Sequence, residues 1–332
     1  MTDLEPIPFD SMIAALKAVG EATRLRVLAL LSRGELTVKD MTAILGQSQP
    51  RISRHLKLLT EAGVIERYAE GAWAFYRLSD AAAARHLVGE LLRLADPADP
   101  VLSRDAERLG EIKREHADAA RRYFAENAAG WDGIRALHVS EGDVEAAMLA
   151  ALGARRFDSL LDLGTGTGRM LELFAPLFAR AVGVDASPAM LAVARANLDR
   201  AGIANVQIRL GDIYNLPLPR DSFDVVTVHQ VLHYLDDPER ALAEAARVLR
   251  PGGRLLVVDF APHDLEFLRE KHAHRRLGFP QEGVRQWMEA AGLAVDRAVD
   301  LPAGDRDKLK VTLWLARDRR IAVAGAAARE VA

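Results

Sequence analysis

The residues best suited to binding a ligand lie in LLDLGTGTGRM, residues 160–170, where three glycines alternate with threonines. Gly164, Gly166 and Gly168 follow an apolar run and precede a helical pattern, so they lie where a buried strand turns into a helix. Glycine suits this turn because the backbone must bend tightly and approach a ligand closely. Asp185 ends the next apolar run, 21 residues after Gly164, where a carboxylate can hold ribose hydroxyls. Asp212 ends the third run, and together these elements predict a nucleotide-like pocket at one sheet edge.

Short apolar runs in the C-terminal part of the sequence predict the strands that carry these residues. From about Glu141 onward they alternate with amphipathic helical patterns, which indicates a mostly parallel sheet with helices on both faces. The runs are SLLDLG, AVGVDA, VQIRLGD, FDVVTVHQ, RLLVVDF and KLKVTLWLARD. Ahead of them, residues 103–137 are helical and highly charged, with Ser103 as the expected N-cap, and the stretch 95–101 marks a break.

A second candidate site lies in SQPRISRHLKLLTEAG, residues 48–63, whose pattern is typical of the second helix of a helix-turn-helix. Ser48 is placed as the N-cap, and Pro50 suits the first turn. The positions i, i+4 and i+7 form an apolar face of Ile52, Leu56 and Leu59. Another face carries Arg51, Arg54 and His55. These features predict a short helix that reads base edges in the major groove.

The sequence VIERYAEGAWAFYRLS after this helix predicts a β-hairpin that turns at Glu70 and Gly71. Such a hairpin forms a wing against the phosphate backbone. The alternative is that its arginines only solvate a surface and the helices form a dimerisation module. The candidate DNA contacts are Ser48, Gln49, Arg51, Ser53, Arg54, His55, Lys57, Arg67 and Arg77.

The composition limits the classes of protein to which the chain can belong. Its 332 residues, half of them hydrophobic, predict two domains with substantial cores. The net charge of -3 argues against a general polyanion binder, so DNA contact must come from a local basic face. The sequence has no cysteine, which excludes disulfides, thiolate metal sites and thiol nucleophiles. With no signal peptide pattern and no apolar run of the roughly 20 residues that a membrane helix needs, we expect a cytoplasmic protein.

The segment from Asp10 to Ser79, including LKAVGEATRLRVLALLSRGELTVKDM, closely resembles the ArsR family of bacterial repressors. The resemblance implies a winged helix-turn-helix that forms a homodimer and binds an inverted repeat in double-stranded DNA. Many metal-sensing members carry a thiolate pair at the positions of Thr37 and Lys39, which cannot replace thiolates. A zinc site built from Asp80 and His86 lacks a convincing ligand set, so we expect no metal.

Asp162 precedes the glycines, and the resulting D-x-G-x-G-x-G pattern resembles class I S-adenosylmethionine-dependent methyltransferases. FDVVTVHQVLHYLDDPERALAEAARVLRPGGRLLVVDF, residues 223–260, resembles the region of the fourth and fifth strands in that family, of the methyltransferase type 11 kind. The resemblance implies a Rossmann-like sheet of seven strands that binds S-adenosylmethionine or S-adenosylhomocysteine. An NAD-binding domain and an empty scaffold whose acids only cap helices are the alternatives.

The resemblance also implies roles for individual residues. It places the methionine part of the ligand at Gly164 and Gly166 and at the backbone around His229. It assigns the ribose to Asp185, and the adenine to Asp212 and Ile213. The candidate ligand contacts are Asp162, Gly164, Gly166, Gly168, Asp185, Ala186, Asp212, Ile213, His229 and Tyr123.

Methyl transfer is an in-line displacement that needs alignment and exclusion of water but no protein nucleophile. Some acceptors need a base, for which the candidates are His229, His233, His272 and His274, although each could equally be a structural residue. Tyr123, Phe124 and Trp131 could form a lid or simply pack. HQVLHY stands where an Asn/Asp-Pro-Pro-Tyr motif would indicate amino methylation of DNA, and cytosine C5 and arsenic methylation need cysteine. A small metabolite or quinone-like acceptor remains by elimination.

The sequence therefore predicts an α+β chain in four parts. These are a winged-helix DNA-binding and dimerisation domain at 1–95, a helical linker or lid at 96–140, a methyltransferase domain at 141–320 and a tail at 321–332. The leading hypothesis is a transcriptional regulator whose operator affinity depends on S-adenosylmethionine or S-adenosylhomocysteine. The alternative is an active small-molecule methyltransferase that regulates its own gene. Whether turnover occurs stays open at this point.

Overall fold

The computed structural model of the chain describes residues 8–70, 73–79, 81–131, 141–301 and 309–320. The chain divides into two compact units, Met1–Ala119 and Ala120–Ala332. The predicted boundaries at residues 95, 140 and 320 stay predictions. Gly71, Asp80 and the tail 321–332 lie outside the described residues.

The N-terminal unit consists of helices around a small antiparallel sheet. The described helices are α1 (Phe9–Val19), α2 (Ala22–Leu31), α3 (Val38–Leu45), α4 (Gln49–Glu61), α5 (Ala82–Leu94) and α6 (Pro100–Asn127), the last of which crosses the division between the units. The strands are β1 (Leu36–Thr37), β2 (Ile65–Glu70) and β3 (Trp73–Leu78), in the order β1-β3-β2. This arrangement confirms the predicted winged helix-turn-helix.

Local sequence explains where the two helices of the helix-turn-helix begin and end. The Thr37 side chain accepts a hydrogen bond from the Asp40 N–H, and the Asp40 carboxylate accepts one from the Thr37 N–H, which is a capping box for α3. Gly46 ends α3 in the left-handed conformation, with φ of 63°. Ser48 stands at the N-cap of α4, but its side chain makes no capping hydrogen bond, and Pro50 lies in the first turn.

Helix α6 begins three residues earlier than predicted, and Ser103 does not cap it. The Asp99 carboxylate accepts hydrogen bonds from the N–H groups of Val101 and Leu102, so Asp99 is the side chain that holds this helix start. Prolines are common in the first turn, where the missing N–H has no partner to lose. Pro100 therefore begins the helix instead of breaking it.

The C-terminal unit is built on a seven-stranded sheet in the order β6-β5-β4-β7-β8-β10-β9. Its strands are β4 (Phe157–Leu163), β5 (Phe178–Asp185), β6 (Val206–Leu210), β7 (Phe223–His229), β8 (Leu249–Phe260), β9 (Leu293–Leu301) and β10 (Val311–Asp318). The first five pair parallel with one another, whereas β10 pairs antiparallel with both β8 and β9. This confirms the predicted Rossmann-like sheet.

Helices accompany this sheet, and short turns join some of them to strands. They are α7 (Glu141–Leu152), α8 (Arg169–Phe174), α9 (Pro188–Arg200), α10 (Pro238–Val248), α11 (Phe267–His272) and α12 (Gln281–Ala290), with 3-10 turns at Ala128–Gly130 and Leu232–Tyr234. Two apolar clusters of buried residues use side chains of the central strands: Leu161 and Val226 belong to one, and Leu160 and Val225 to the other. The sheet is therefore covered on both faces.

Strand β9 is the strand of the seven-stranded sheet that the sequence reasoning missed. Its sequence, LAVDRAVDL, interrupts the apolar residues with Asp296, Arg297 and Asp300, so no continuous apolar run marks it. It lies at the sheet edge, where one polar side and unpaired backbone groups are tolerated. Within the part of the chain that is described, no helix is long and apolar enough to cross a membrane.

Candidate functional site

The glycine loop between β4 and α8 forms the centre of the candidate ligand site. Gly164, Gly166 and Gly168 have φ values of 68°, 52° and 87°, a region that residues with a side chain rarely adopt. A Cβ on Gly164 would lie 2.4 Å from Val231 Cγ2, and one on Gly168 would lie 3.3 Å from the Ala194 Cβ. At Gly166 the nearest atom would be the Trp131 Nε1, at 3.9 Å. The loop therefore needs glycine for close packing at its ends, and it leaves space at its middle.

The strand register brings the predicted acids to the same edge as the glycines. Leu163 pairs with Val184, and Asp185 pairs with Leu210, so Gly164 and Gly211 follow their strands and Asp185 ends its own at the same carboxyl edge of the sheet. In open sheets of this kind ligands bind outside this edge. The separate sequence motifs thus meet in one place.

Asp185 fastens the glycine loop to the second strand. Its carboxylate accepts a hydrogen bond from the Gly166 N–H at 2.9 Å and one from the Ser187 N–H at 2.8 Å. Burial raises the pKa of Asp185, and hydrogen bonds from backbone N–H groups oppose that rise. Because two oxygens offer about four acceptor sites, the carboxylate retains capacity for ligand hydroxyls.

The remaining predicted ligand contacts lie around this centre in different environments. Asp162 is buried beneath the loop, and its carboxylate accepts a hydrogen bond from the Thr227 hydroxyl at 2.6 Å, so it supports the loop from the sheet interior. Asp212 and Ala186 are exposed, and Asp212 accepts a hydrogen bond from the Tyr214 N–H at 2.9 Å. Ile213 is half-buried and packs against the core.

These residues fit a nucleoside ligand. The open position at Gly166 lets a ligand approach the backbone, the Asp185 carboxylate can accept from hydroxyls, and Ile213 offers an apolar surface beside an exposed acid. Such a ligand, S-adenosylmethionine, would supply an electrophilic methyl carbon. The chain's own residues would bind and orient it.

An aromatic and histidine cluster lies in the same unit. Phe124 contacts Trp131 and Tyr234, with ring centroids 5.1 Å and 4.8 Å away. Tyr123 is joined to the cluster through Trp131, and its hydroxyl lies 2.7 Å from the His272 Nδ1. The predicted lid residues Tyr123, Phe124 and Trp131 therefore lie close together. The predicted histidine His272 is the hydrogen-bond partner of the Tyr123 hydroxyl.

His233 and His274 are the predicted histidines that lie deepest in this cluster. Their ring centroids are 4.2 Å apart, and the rings of Tyr234 and Phe260 lie 4.0 Å and 4.8 Å from that of His233. The His233 Nδ1 lies 2.7 Å from the Asp259 Oδ1. His229, by contrast, ends β7 and is half-buried.

Sequence reasoning missed Asp259 and His263. Asp259 is the next-to-last residue of β8, so the rule that identified Asp185, an acid at the carboxyl end of a parallel strand, would have identified it too. Burial lowers the pKa of His263 to about 4, and the charge of Arg269 acts in the same direction. No sequence signal distinguishes this histidine.

The recognition helix α4 has the two faces that its sequence predicts. Ile52, Leu56 and Leu59 are fully buried. The opposite side is exposed and carries Gln49, Arg51, Ser53, Arg54 and Lys57, with Ser48 exposed at the N-cap. This is a polar surface with a positive charge on an otherwise slightly acidic chain.

His55, Arg67 and Arg77 are predicted DNA contacts that lie outside the exposed side of α4. The His55 side chain is only 13% exposed and its Nδ1 lies 3.5 Å from the Glu21 carboxylate, so it faces α2 more than solvent. Burial lowers the pKa of His55, against the effect of Glu21. Arg77 donates to the Glu66 carboxylate across the hairpin at 2.9 Å, whereas Arg67 on the paired strand is exposed.

Thr37, at one of the two positions where metal sensors carry thiolates, has a structural role in this chain. Thr37 forms the capping box that begins α3, and its hydroxyl donates to the Asp40 carboxylate at 2.8 Å. His86 lies in α5, and Asp80 is outside the described residues. Among residues whose placement is described, no group of three or more His, Asp or Glu residues could hold a metal ion.

Comparison with known proteins identifies both parts of the chain. The profile of the bacterial regulatory protein arsR family matches residues 21–67, and that of the methyltransferase domain family matches residues 161–257. A demethylmenaquinone methyltransferase of Thermobifida fusca is 32% identical over 165 residues, which cover 45% of this chain and 70% of that protein.

Two other relatives match at similar levels. The uncharacterized methyltransferase YcgJ of Bacillus subtilis is 36% identical over 126 residues, covering 38% of this chain and 50% of YcgJ. An uncharacterized 37.1 kDa protein in transposon TN4556 of Streptomyces fradiae is 38% identical over 180 residues, covering 49% of this chain and 51% of that protein. The chain thus spans about half the length of these two relatives.

The crystal structure of YcgJ aligns with 53% of this chain and 98% of its own, at 24% identity and a TM-score of 0.45. The chain belongs to the methyltransferase domain family and carries an arsR-family regulatory domain in the same polypeptide.

Proposed function

We propose that this chain is a dimeric transcriptional regulator whose affinity for operator DNA is set by S-adenosylmethionine or S-adenosylhomocysteine bound in the methyltransferase domain. One observation carries the proposal: a single polypeptide holds an exposed basic recognition helix and a formed loop of glycines that is fastened to Asp185. The thiolate positions of metal sensors are occupied by a helix cap and a lysine. The fused domain takes the place of the missing sensor.

In this proposal the exposed side of α4 enters the major groove of an inverted repeat, in the cytoplasm. Arg51 and Arg54 are suited to bidentate contacts with guanine, and Gln49 to adenine. Ser48, Ser53, Lys57 and Arg67 would contact phosphates, while Arg77 would act from the second strand of the wing. His55 would contribute through its position beside Glu21.

Exposed apolar side chains of the N-terminal unit support a homodimer. Phe9, Met12 and Leu16 share one face of α1 at i, i+3 and i+7 and are 70%, 39% and 43% exposed. Leu94, at the end of α5, is 75% exposed. A helix face of this kind is normally covered by another surface, and a second copy of the chain would cover it.

Helix α6 is the proposed link between ligand and DNA. In its first half, Arg108 donates to the Ile44 carbonyl at 2.8 Å, just ahead of the turn that leads into α4. In its second half it carries Tyr123 and Phe124 of the aromatic cluster. We take 1–95, 96–140 and 141–320 as the functional domains, with the linker containing this helix. Coupling requires only that the ligand binds the DNA-competent and incompetent states with different affinity.

The proposed ligand contacts are those that the resemblance to the methyltransferase family implies. The backbone at Gly164, Gly166 and His229 would face the methionine part, and Asp185 and Ala186 the ribose. Asp212 and Ile213 would hold the adenine. Asp162 and Gly168 would support the loop, and Tyr123 would close the site from the linker. No metal is required for these contacts.

The test is operator binding to the DNA upstream of the chain's own gene, with S-adenosylmethionine and S-adenosylhomocysteine titrated separately. We expect one ligand to change operator affinity by about 5- to 150-fold, the usual range of allosteric coupling. Arg108→Ala should reduce this change while both ligands and DNA still bind. The matched control is Lys113→Ala, which removes a donor to the Arg33 carbonyl on the same helix. An operator affinity that neither ligand changes would refute the coupling.

A second candidate function is an active methyltransferase that acts on a small molecule and regulates its own gene. The observation that favours it is the cluster of buried histidines and aromatic rings near the sheet edge. Transfer of a labelled methyl group to an added acceptor would support it. Tight ligand binding without turnover over many acceptors would favour the pure sensor.

A further inference from the structure

We infer that His233, oriented by Asp259, is the general base for methyl transfer to the hydroxyl of a planar aromatic acceptor. The inference rests on the proposal that the methyltransferase domain binds S-adenosylmethionine and turns over. It adds the class of acceptor and the residue that takes the acceptor's proton.

The hydrogen bond between His233 and Asp259 determines which ring nitrogen of His233 carries the proton. Asp259 is fully buried, and its Oδ1 accepts from the Phe260 N–H at 2.8 Å and lies 2.7 Å from the His233 Nδ1. Because a carboxylate only accepts, the Nδ1 carries the proton and the Nε2 has the free lone pair. The same orientation serves general bases in which a carboxylate fixes the imidazole tautomer.

The lone pair of the His233 Nε2 is buried and has no partner within the described part of the chain. His233 is 1% exposed, and neither its Nε2 nor the Asp259 Oδ2 finds a hydrogen bond there. A buried polar atom without a partner reduces stability and needs an explanation; the His263 Nε2 is another such atom, but the His263 Nδ1 accepts from the Leu265 N–H, so its Nε2 is a donor and not a base. The atom that lacks a partner is the one that a general base needs.

Aromatic rings surround the His233 side chain. Rings of Tyr234, Phe260 and His274 lie 4.0 Å, 4.8 Å and 4.2 Å from the His233 ring, measured between centroids. Aromatic walls favour a planar ring that can stack or meet them edge-on. A hydroxyl on such a ring is acidic enough for an imidazole to take its proton as the new bond forms.

The position relative to the glycine loop agrees with this role. Val231, whose side chain fills the space above Gly164, is two residues before His233, and both follow β7. Phe124 and Trp131 contact Tyr234, so they cover the cluster from the linker side. His233 is closed off in this arrangement, so an acceptor ring must displace one of these aromatic side chains. The aromatic side chains that stay in place would then exclude water from the reaction.

The acceptor oxygen forms a bond to the methyl carbon while the carbon–sulfur bond breaks and its electron pair stays on sulfur. The hydroxyl proton passes to the His233 Nε2, and the carboxylate of Asp259 stabilises the resulting imidazolium. The products are an aryl methyl ether and S-adenosylhomocysteine.

The experiment uses 2-naphthol as the probe and decahydro-2-naphthol, which has the same carbon skeleton and a hydroxyl but no aromatic ring, as its control. Calorimetry on protein saturated with S-adenosylhomocysteine should show that 2-naphthol binds more tightly. In histidine-labelled protein it should shift the ¹⁵N resonance of the His233 Nε2. His233→Asn, whose amide can still donate to Asp259, should lower methylation of 2-naphthol by about 10²- to 10⁴-fold and leave S-adenosylhomocysteine affinity unchanged.

Two further variants separate this role from packing. His263→Asn changes another histidine with an unpartnered Nε2 in the described chain, beside the same Phe260 ring, and should leave turnover nearly unchanged. Asp259→Asn should lower turnover and alter the two ring ¹⁵N shifts of His233, because it removes the group that fixes the tautomer. Equal losses in His233→Asn and His263→Asn, or equal binding of the two probes, would overturn the inference.

The proposed function and this inference fail in different ways. If S-adenosylhomocysteine does not bind, the proposed ligand is wrong, and the 2-naphthol shift of His233 measured without it still tests the acceptor site. If S-adenosylhomocysteine binds but 2-naphthol neither binds nor shifts His233, the inference alone is wrong.

Discussion

Replacing Gly164 with alanine tests whether the loop depends on close packing rather than on backbone flexibility alone. The added Cβ would lie 2.4 Å from the Val231 Cγ2 and 2.9 Å from the Cγ1, and the backbone has φ of +68°. The left-handed conformation costs an alanine about 1 kcal/mol relative to glycine, and overpacking adds about 1–3 kcal/mol. We therefore expect the C-terminal unit to lose about 2–4 kcal/mol and S-adenosylhomocysteine binding to be lost.

A second glycine provides a matched control for the cost of placing alanine in the left-handed backbone conformation. Gly202 has φ of +69°, and a Cβ there meets nothing within 4 Å, so Gly202→Ala should cost only the conformational part, about 1 kcal/mol. Adding Val231→Ala to Gly164→Ala removes both methyl groups that clash. The double variant should recover most of the excess loss.

Urea unfolding followed by tryptophan fluorescence measures these differences, because Trp131, Trp287 and Trp314 all report on the C-terminal unit. Calorimetry with S-adenosylhomocysteine measures ligand binding by the same proteins. If Gly164→Ala is no more destabilising than Gly202→Ala, the steric argument for this loop is refuted.

Three further outcomes follow from the described contacts. Asp185→Asn should weaken S-adenosylhomocysteine binding by about tenfold or more in calorimetry, because hydrogen bonds to a charged acceptor contribute about 1.5–3 kcal/mol; unchanged affinity would contradict the ribose assignment. The pKa of His263 is lowered to about 4, so the unfolded chain takes up this proton first, and stability should fall by at most about 2 kcal/mol between about pH 7 and about pH 5. His263→Asn should remove that part of the pH dependence in urea titrations, and an identical pH profile would count against the shift. Asp105→Ala leaves Arg26 without its partner at 2.6 Å and should destabilise the N-terminal unit by about 3 kcal/mol in thermal unfolding, whereas Glu90→Ala, in an exposed pair with Arg93, should change little.

The sequence predicted those features that depend on local spacing. The apolar runs, the glycine loop and the two faces of α4 repeat with the period of their own element, so no knowledge of the tertiary fold is needed to find them. The carboxyl-edge rule then placed Asp185 beside the loop, and the strand register confirms that position.

What escaped prediction depends on neighbours distant in the chain. His233 and Asp259 are 26 residues apart and meet because β7 and β8 are adjacent parallel strands. Phe124 and Tyr234 are in contact, although β4, β5, β6 and β7 lie between them in the sequence. A helix start depends on which of several possible capping residues is used. Asp99 caps α6 instead of Ser103, because the proline directly after Asp99 fixes the first turn.

The position of β10 has a consequence for synthesis on the ribosome. The last described strand lies between β8 and β9, so the sheet cannot be completed until Asp318 has emerged. The unit that ends at Ala119 has its own core and can fold first. At about 5–20 residues per second, the intervening stretch of roughly 200 residues takes about 10–40 s to translate. Under the proposed function, each nascent chain in that interval presents a folded winged helix-turn-helix unit before the ligand-binding sheet is complete.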